Sequence, residues 1–133
     1  MMVVRNYIID GFEYMVIDAQ DFMVSRDAVR LMANRREGVG ADEVLAFTGT
    51  DTQPSFVAFS ANGDIKAPSR DNYRAMLLYM RDRQITPNLE EFNLALGAMN
   101  LAREVQPVTR LEIHLTESFV SRLIALADGA KAA

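Results

Sequence analysis

The apolar positions of this chain change period along its length. Val3 to Ile9 is rich in β-branched and aromatic residues and predicts a strand. Tyr14-Met15-Val16-Ile17 is a short apolar run between Glu13 and Asp18, consistent with a buried strand. The period then lengthens. Ser25 suits an N-cap, Asp27 falls in the first turn, and Ala28, Val29 and Met32 share one face of a helix expected to end near Arg36. Gly38 and Gly40 allow positive φ and are expected to end it. Val44 to Phe47 and Phe56 to Phe59 read as two more strands, separated by a polar loop from Thr48 to Pro54. Asn62-Gly63 is a turn signal.

Ser69 opens a second helix. Tyr73, Met76, Leu77 and Met80 make one face, but Ala75, Leu78 and Tyr79 are apolar too. A helix apolar nearly all round is buried on most sides, either inside a sheet that wraps round it or under a partner. Farther on, Thr86 and Asn88 suit caps, Pro87 suits a first turn, and Asn88 with Glu91 forms a capping box. Leu89, Phe92, Leu96 and Met99 line the helix that follows. Leu111, Ile113 and Leu115 alternate with Glu112 and His114, the pattern of a half-exposed strand. Thr116 caps a last helix with Phe119, Val120, Leu123, Ile124 and Ala127 on one stripe and Gly129 as its expected stop. The alanine-rich end from Ala125 to Ala133 is expected to fray. These elements predict one α+β domain.

Composition narrows the classes. The 133 residues fit a single domain, and half of them are hydrophobic, enough for a real core. No stretch approaches the roughly 20 apolar residues that cross a bilayer, and the start lacks a secretory layout. The chain has no cysteine, which removes disulfides and thiolate metal sites and fits a reducing compartment. The expectation is a cytoplasmic protein with no membrane partner. A formal net charge of −4 argues against a nucleic-acid surface. The arginine pairs Arg35–Arg36 and Arg81–Arg83 read as helix carboxy-terminal charges rather than anion sites. No motif implies a cofactor. His114 is the one histidine, with no second to share a metal, and no EF-hand spacing is present. Gly38 and Gly40 lack the rest of a dinucleotide or P-loop fingerprint. The eight methionines, Met76, Met80 and Met99 among them, read as adaptable core filling.

Four segments occur in a particular order: Gly11 with Val16-Ile17-Asp18, then Arg35-Arg36-Glu37-Gly38-Val39-Gly40-Ala41-Asp42, then Ser60-Ala61-Asn62-Gly63, then Ser69-Arg70-Asp71-Asn72 before Tyr73-Arg74. In order and spacing, from about 11 to 81, they resemble the amino-terminal half of diaminopimelate epimerase, an isomerase family of lysine biosynthesis. The resemblance implies a curved sheet wrapped round a buried central helix, with a family-like core over about 1–82 and a divergent helix–strand–helix extension over 83–128. In that family two such halves each place one cysteine at the amino end of the central helix. There the helix-terminal N–H groups lower the thiol pKa and hold the substrate carboxylate. One thiolate removes the α-proton and the other thiol delivers a proton to the opposite face.

Carried over residue by residue, the cysteine position falls on Ser69, and the Gly-Asn-Gly after it becomes Arg70-Asp71-Asn72. The family's two substrate asparagines fall on Phe12 and Ser60, and Glu43 follows the Gly-x-Asp run. Phe12, Glu43, Ser60, Ser69, Arg70, Asp71 and Asn72 therefore form the expected vestigial ligand site. Ser69 reads as a helix N-cap, since no base is visible beside it. Asp18 and Asp42 read as scaffold residues rather than an acid–base pair, with Asp42 capping a turn or pairing with Arg35 or Arg36. The expectation is a catalytically inactive homologue acting in binding or assembly as a homodimer. The alternative is an active epimerase subunit whose chemistry comes from a partner chain.

Overall fold

The computed structural model describes residues 2–20, 24–49, 55–84 and 109–132, with side chains to 126 in the last segment. The helix expected near Asn88, the stripe from Leu89 to Met99 and most of the loop before Pro54 lie outside the described residues. The described chain runs β1 (Val3–Ile9), β2 (Phe12–Asp18), α1 (Arg26–Ala33), β3 (Glu43–Phe47), β4 (Phe56–Ser60), β5 (Ile65–Lys66), α2 (Arg70–Asp82), β6 (Thr109–His114) and α3 (Glu117–Ala132). This is an α+β fold with one six-stranded mixed sheet in the order β5-β4-β3-β2-β1-β6.

β1 and β2 form a hairpin in which Ile9 faces Phe12. Its two turn residues, Asp10 and Gly11, have φ of 52° and 83°, the left-handed pair that matches the twist of antiparallel strands. β2 and β3 run parallel, Tyr14 opposite Glu43 and Asp18 opposite Phe47. Parallel neighbours need a crossover, and α1 supplies it. β3, β4 and β5 are successive antiparallel neighbours, and β6 closes the other edge against β1.

Both faces of the central strands are covered, which explains the unbroken apolar runs in β2 and β3. On one face Val4, Met15, Ile17, Val44, Ala46 and Phe59 pack with Ala28, Val29 and Met32 of α1 and Leu123 of α3. On the other, Tyr7, Ile9, Val16, Leu45 and Phe47 pack with Ala75, Met76, Tyr79 and Met80 of α2. Tyr73, Leu77 and Leu78 of α2 are half-buried. The expected N-caps are in place: Ser25 Oγ accepts from the Ala28 amide at 3.1 Å and Thr116 Oγ1 from the Phe119 amide at 3.2 Å.

Three local expectations need correction. α1 ends at Ala33, not near Arg36, because the Asn34 side chain accepts the amides of Arg36 and Glu37 and turns the chain away. Gly129 does not stop the last helix, which continues to Ala132. A glycine in a helix costs only about 1 kcal/mol, and Ala127, Ala130 and Ala132 around this one favour the helix. Gly38 is not in the left-handed region. It is needed for close approach: a Cβ there would lie 1.8 Å from the Leu31 carbonyl oxygen. Gly40, with φ of 97°, has the expected positive φ.

The loop from Asn34 to Asp42 is fastened at both ends. The amides of Val39 and Gly40 donate to the Met32 carbonyl at 3.1 and 2.9 Å, and the Ala41 amide donates to the Ala33 carbonyl at 3.1 Å. Asp42 and Glu13 then exchange bonds. The Asp42 amide donates to the Glu13 carbonyl and the Glu13 amide to Asp42 Oδ2, each at 2.8 Å. Arg35 lies 3.4 Å from Glu13 and 3.2 Å from Asp42, so it serves the loop rather than a helix end. Arg81 stands in the last turn of α2, as its position suggested.

Gly38→Ala is expected to lower the unfolding free energy by about 2 kcal/mol or more, since backbone must move to admit the methyl. Gly11→Ala meets nothing within 4 Å and carries only left-handed strain, about 1 kcal/mol. Urea denaturation of the two variants beside the parent checks the order. Equal losses would contradict the close approach at Gly38.

Candidate functional site

The seven residues singled out by the resemblance lie around one end of the sheet, where β3 begins, β4 ends and α2 starts. Ser69 precedes α2 with φ −88° and ψ 170°, and its Oγ accepts from the Asn72 amide at 3.2 Å. Asn72 Oδ1 returns the bond, accepting from the Ser69 amide at 2.8 Å. This is a capping box, with asparagine in the place usually held by Glu or Gln. The hydroxyl is engaged in closing the helix, which is the role expected of Ser69.

Asn72 does more than cap. It is fully buried, and its Nδ2 donates to Glu43 Oε1 at 2.7 Å. Lys66 Nζ donates to Asn72 Oδ1 at 2.9 Å and to Glu43 Oε1 at 3.3 Å. Three elements are thereby tied through one amide: the head of β3, strand β5 and the first turn of α2. Ser60 faces Glu43 across the β3–β4 ladder, and its hydroxyl is buried with no hydrogen-bond partner among the described residues.

Asp71 and Phe12 sit beside this cluster and join through Tyr14. The Tyr14 hydroxyl donates to Asp71 Oδ2 at 3.5 Å, and the Phe12 ring stacks on Tyr14 with centroids 6.5 Å apart. Arg74, almost buried, donates to Asp71 Oδ1 at 2.9 Å and lies 3.6 Å from Asp10. Phe12 is 57% exposed, an apolar residue at the surface. Arg70 opens α2 on its exposed side.

Lys66, Tyr14 and Arg74 were missed as members of the site. Lys66 lies in a two-residue strand with no periodicity to reveal it. Tyr14 looked like an ordinary member of an apolar run. Arg74 stands between Tyr73 and Ala75 in the apolar middle of α2, and an arginine in such a run is itself a signal of a buried ion pair.

The other candidates disperse. Asp18, the last residue of β2 in the parallel ladder, pairs with Arg83 at 3.6 Å, and Asp42 pairs with Arg35 before the ladder's other end. The two carboxylates are held apart, each by its own arginine. His114 is exposed on β6, 3.4 Å from Glu112. Among the described residues no three His, Cys, Asp or Glu side chains are placed to hold a metal, and no helix is long and apolar enough to cross a membrane. A cavity of about 770 Å³ lies between α1, the β4–β5 turn and α3, lined by Asp27, Arg30, Asn34, Glu37 and Arg122 among others. Its two carboxylates and two guanidiniums favour neither anion nor cation.

A scan against protein-family models finds no match for this chain, and a search of the curated proteins finds none either.

Chemically, Glu43, Lys66, Ser69 and Asn72 bind one another, and the Ser60 hydroxyl stands apart from their bonds. Glu43 is paired with Lys66, and Asp71 with Arg74, so the carboxylates beside this helix N-terminus already hold cations. Burial, then the charges of Asp71 and Glu43, push the Tyr14 phenol from 10.0 up to about 12. Burial also raises Tyr7, with help from its bond to Asp82, and it raises Tyr79 despite the cation of Arg83.

A phenol whose folded pKa exceeds its unfolded value holds a proton that unfolding releases. Its stabilising contribution is full below pH 10 and declines as pH rises toward about 12. The unfolding midpoint is therefore expected to fall steeply between pH 10 and 12, and less steeply in Tyr14→Phe. Absorbance of tyrosinate at alkaline pH checks this. Full development of the signal near pH 10 in still-folded protein would contradict it.

Proposed function

We propose that this chain is a diaminopimelate-epimerase-like half-domain that has lost proton transfer and acts as a homodimer in binding or assembly. The ordered set of four segments suggests the family. The arrangement of the sheet is compatible with it: α2 packs on one face, led by Ser69 at the position where the family carries its thiol.

The observation that carries the inactive reading is the fate of that position. Stereochemical inversion needs an acid and a base whose protons transfer near neutral pH. Ser69 offers a hydroxyl, which needs an adjacent base to act. Its oxygen instead accepts the Asn72 amide, and no base is bonded to it among the described residues. The Asn72 side chain occupies the Ser69 amide, one of the helix-terminal donors that would otherwise hold a substrate carboxylate. Glu43 and Asp71 flank the same terminus, each paired with its own cation, Lys66 and Arg74.

Incubation of the purified protein with LL-diaminopimelate in deuterated water tests the reading. The expected result is no α-proton exchange above a heat-killed sample by proton NMR. Protein-dependent exchange would overturn it.

A further inference from the structure

The two edges of the sheet differ. β5 is two residues long. β6 has six residues, Thr109 to His114, and all but Ile113 are exposed. It contains no proline. Among the described residues, β1 pairs with one side of β6 and no strand pairs with the other. Leu111 is 42% exposed at the middle of this edge. A regular outer strand of this length is a template for another strand unless something blunts it.

The sequence of β6 is complementary to itself when reversed. Two-fold antiparallel pairing keeps each sheet face on its own side, so the axis must pass beside a residue. With the axis at Leu111, Leu111 meets its own copy, Arg110 meets the partner's Glu112, and Thr109 meets the partner's Ile113. Opposite charges and apolar pairs directly across a ladder stabilise it. Moving the axis to Arg110 or Glu112 sets like charges face to face. Moving it to Ile113 presses the already buried Leu115, and the start of α3, against the partner.

The ladder inside one chain prepares these charges. Arg110 donates one N–H to Asp82 at 2.8 Å, which leaves further guanidinium donors at the edge. Glu112 lies 3.9 Å from Arg5 and remains half-exposed. We infer that a second copy of this chain pairs with β6 about a two-fold axis at Leu111, joining two six-stranded sheets into one. This inference rests on the self-association put forward above and names the surface that carries it.

The absence of native cysteine makes the test specific. Leu111→Cys chains under mild oxidation are expected to form a covalent dimer, because the Cα atoms of directly opposite antiparallel residues lie about 4.5–5.5 Å apart, within the span a disulfide bridges. Ile65→Cys, 73% exposed on the opposite edge, is the control. Leu111→Lys, which sets like charges on the axis, is expected to weaken dimerisation about tenfold by light scattering with the fold unchanged by circular dichroism. A dimer by scattering in which Cys at 111 crosslinks no better than Cys at 65 would overturn this interface and leave self-association standing. A monomer across the micromolar range would overturn both, and undiminished dimerisation of Leu111→Lys would overturn the interface.

Discussion

The parallel pairing of β2 and β3 is the constraint from which the other elements follow. Parallel neighbours cannot share a tight turn, so the chain leaves the sheet after Asp18 and returns at Glu43, laying α1 over one face on the way. The return is held by the exchange between Glu13 and Asp42 and by Arg35, which reaches both carboxylates. Asn6 adds to it from β1, donating to the Gly40 carbonyl at 3.0 Å. With β2 and β3 in the middle and apolar on both sides, the second face needs a cover as well, and Met76, Tyr79 and Met80 of α2 provide it.

That arrangement brings Glu43, the first residue of β3, under the first turn of α2. A helix N-terminus presents unsatisfied donors and a partial positive charge, a ready site for an anion. Here the molecule supplies its own acceptors. Ser69 and Asn72 cap each other, and the Asn72 amide is held in turn by Glu43 and Lys66. Hydrogen bonds to a carboxylate and an ammonium are stronger than neutral ones, and a buried amide left unpaired is costly. The closure is therefore a stable feature of the fold. Two of the terminal donors, the Ser69 and Asn72 amides, are thereby filled by side chains.

Much of the fold was legible from residue pattern. The runs at Val3, Tyr14, Val44 and Phe56 became strands because each is short, apolar and bounded by polar or turn residues. Ser25, Ser69 and Thr116 announced helix starts because a hydroxyl there satisfies an orphan amide. What failed was less local. The helix end at Ala33 depends on the Asn34 side chain choosing a turn. The need for glycine at position 38 depends on a carbonyl seven residues earlier, which no local rule reports. β5 is too short to show a period. Of the site, Glu43, Ser60, Ser69 and Asn72 do converge, with Asp71 and Phe12 alongside. Lys66 and Tyr14 were invisible as participants because their roles arise only when three elements meet.

The most direct measurement follows the backbone amides of α2 during addition of a diamino-dicarboxylic acid. In amide NMR spectra recorded with LL-diaminopimelate added stepwise, a closed helix N-terminus leaves the signals of Ser69, Asn72 and Tyr73 unmoved while the rest of the spectrum stays folded. Saturable shifts centred on those three amides would mean that the Asn72 side chain yields its place to a carboxylate, and the account of a closed site would fail.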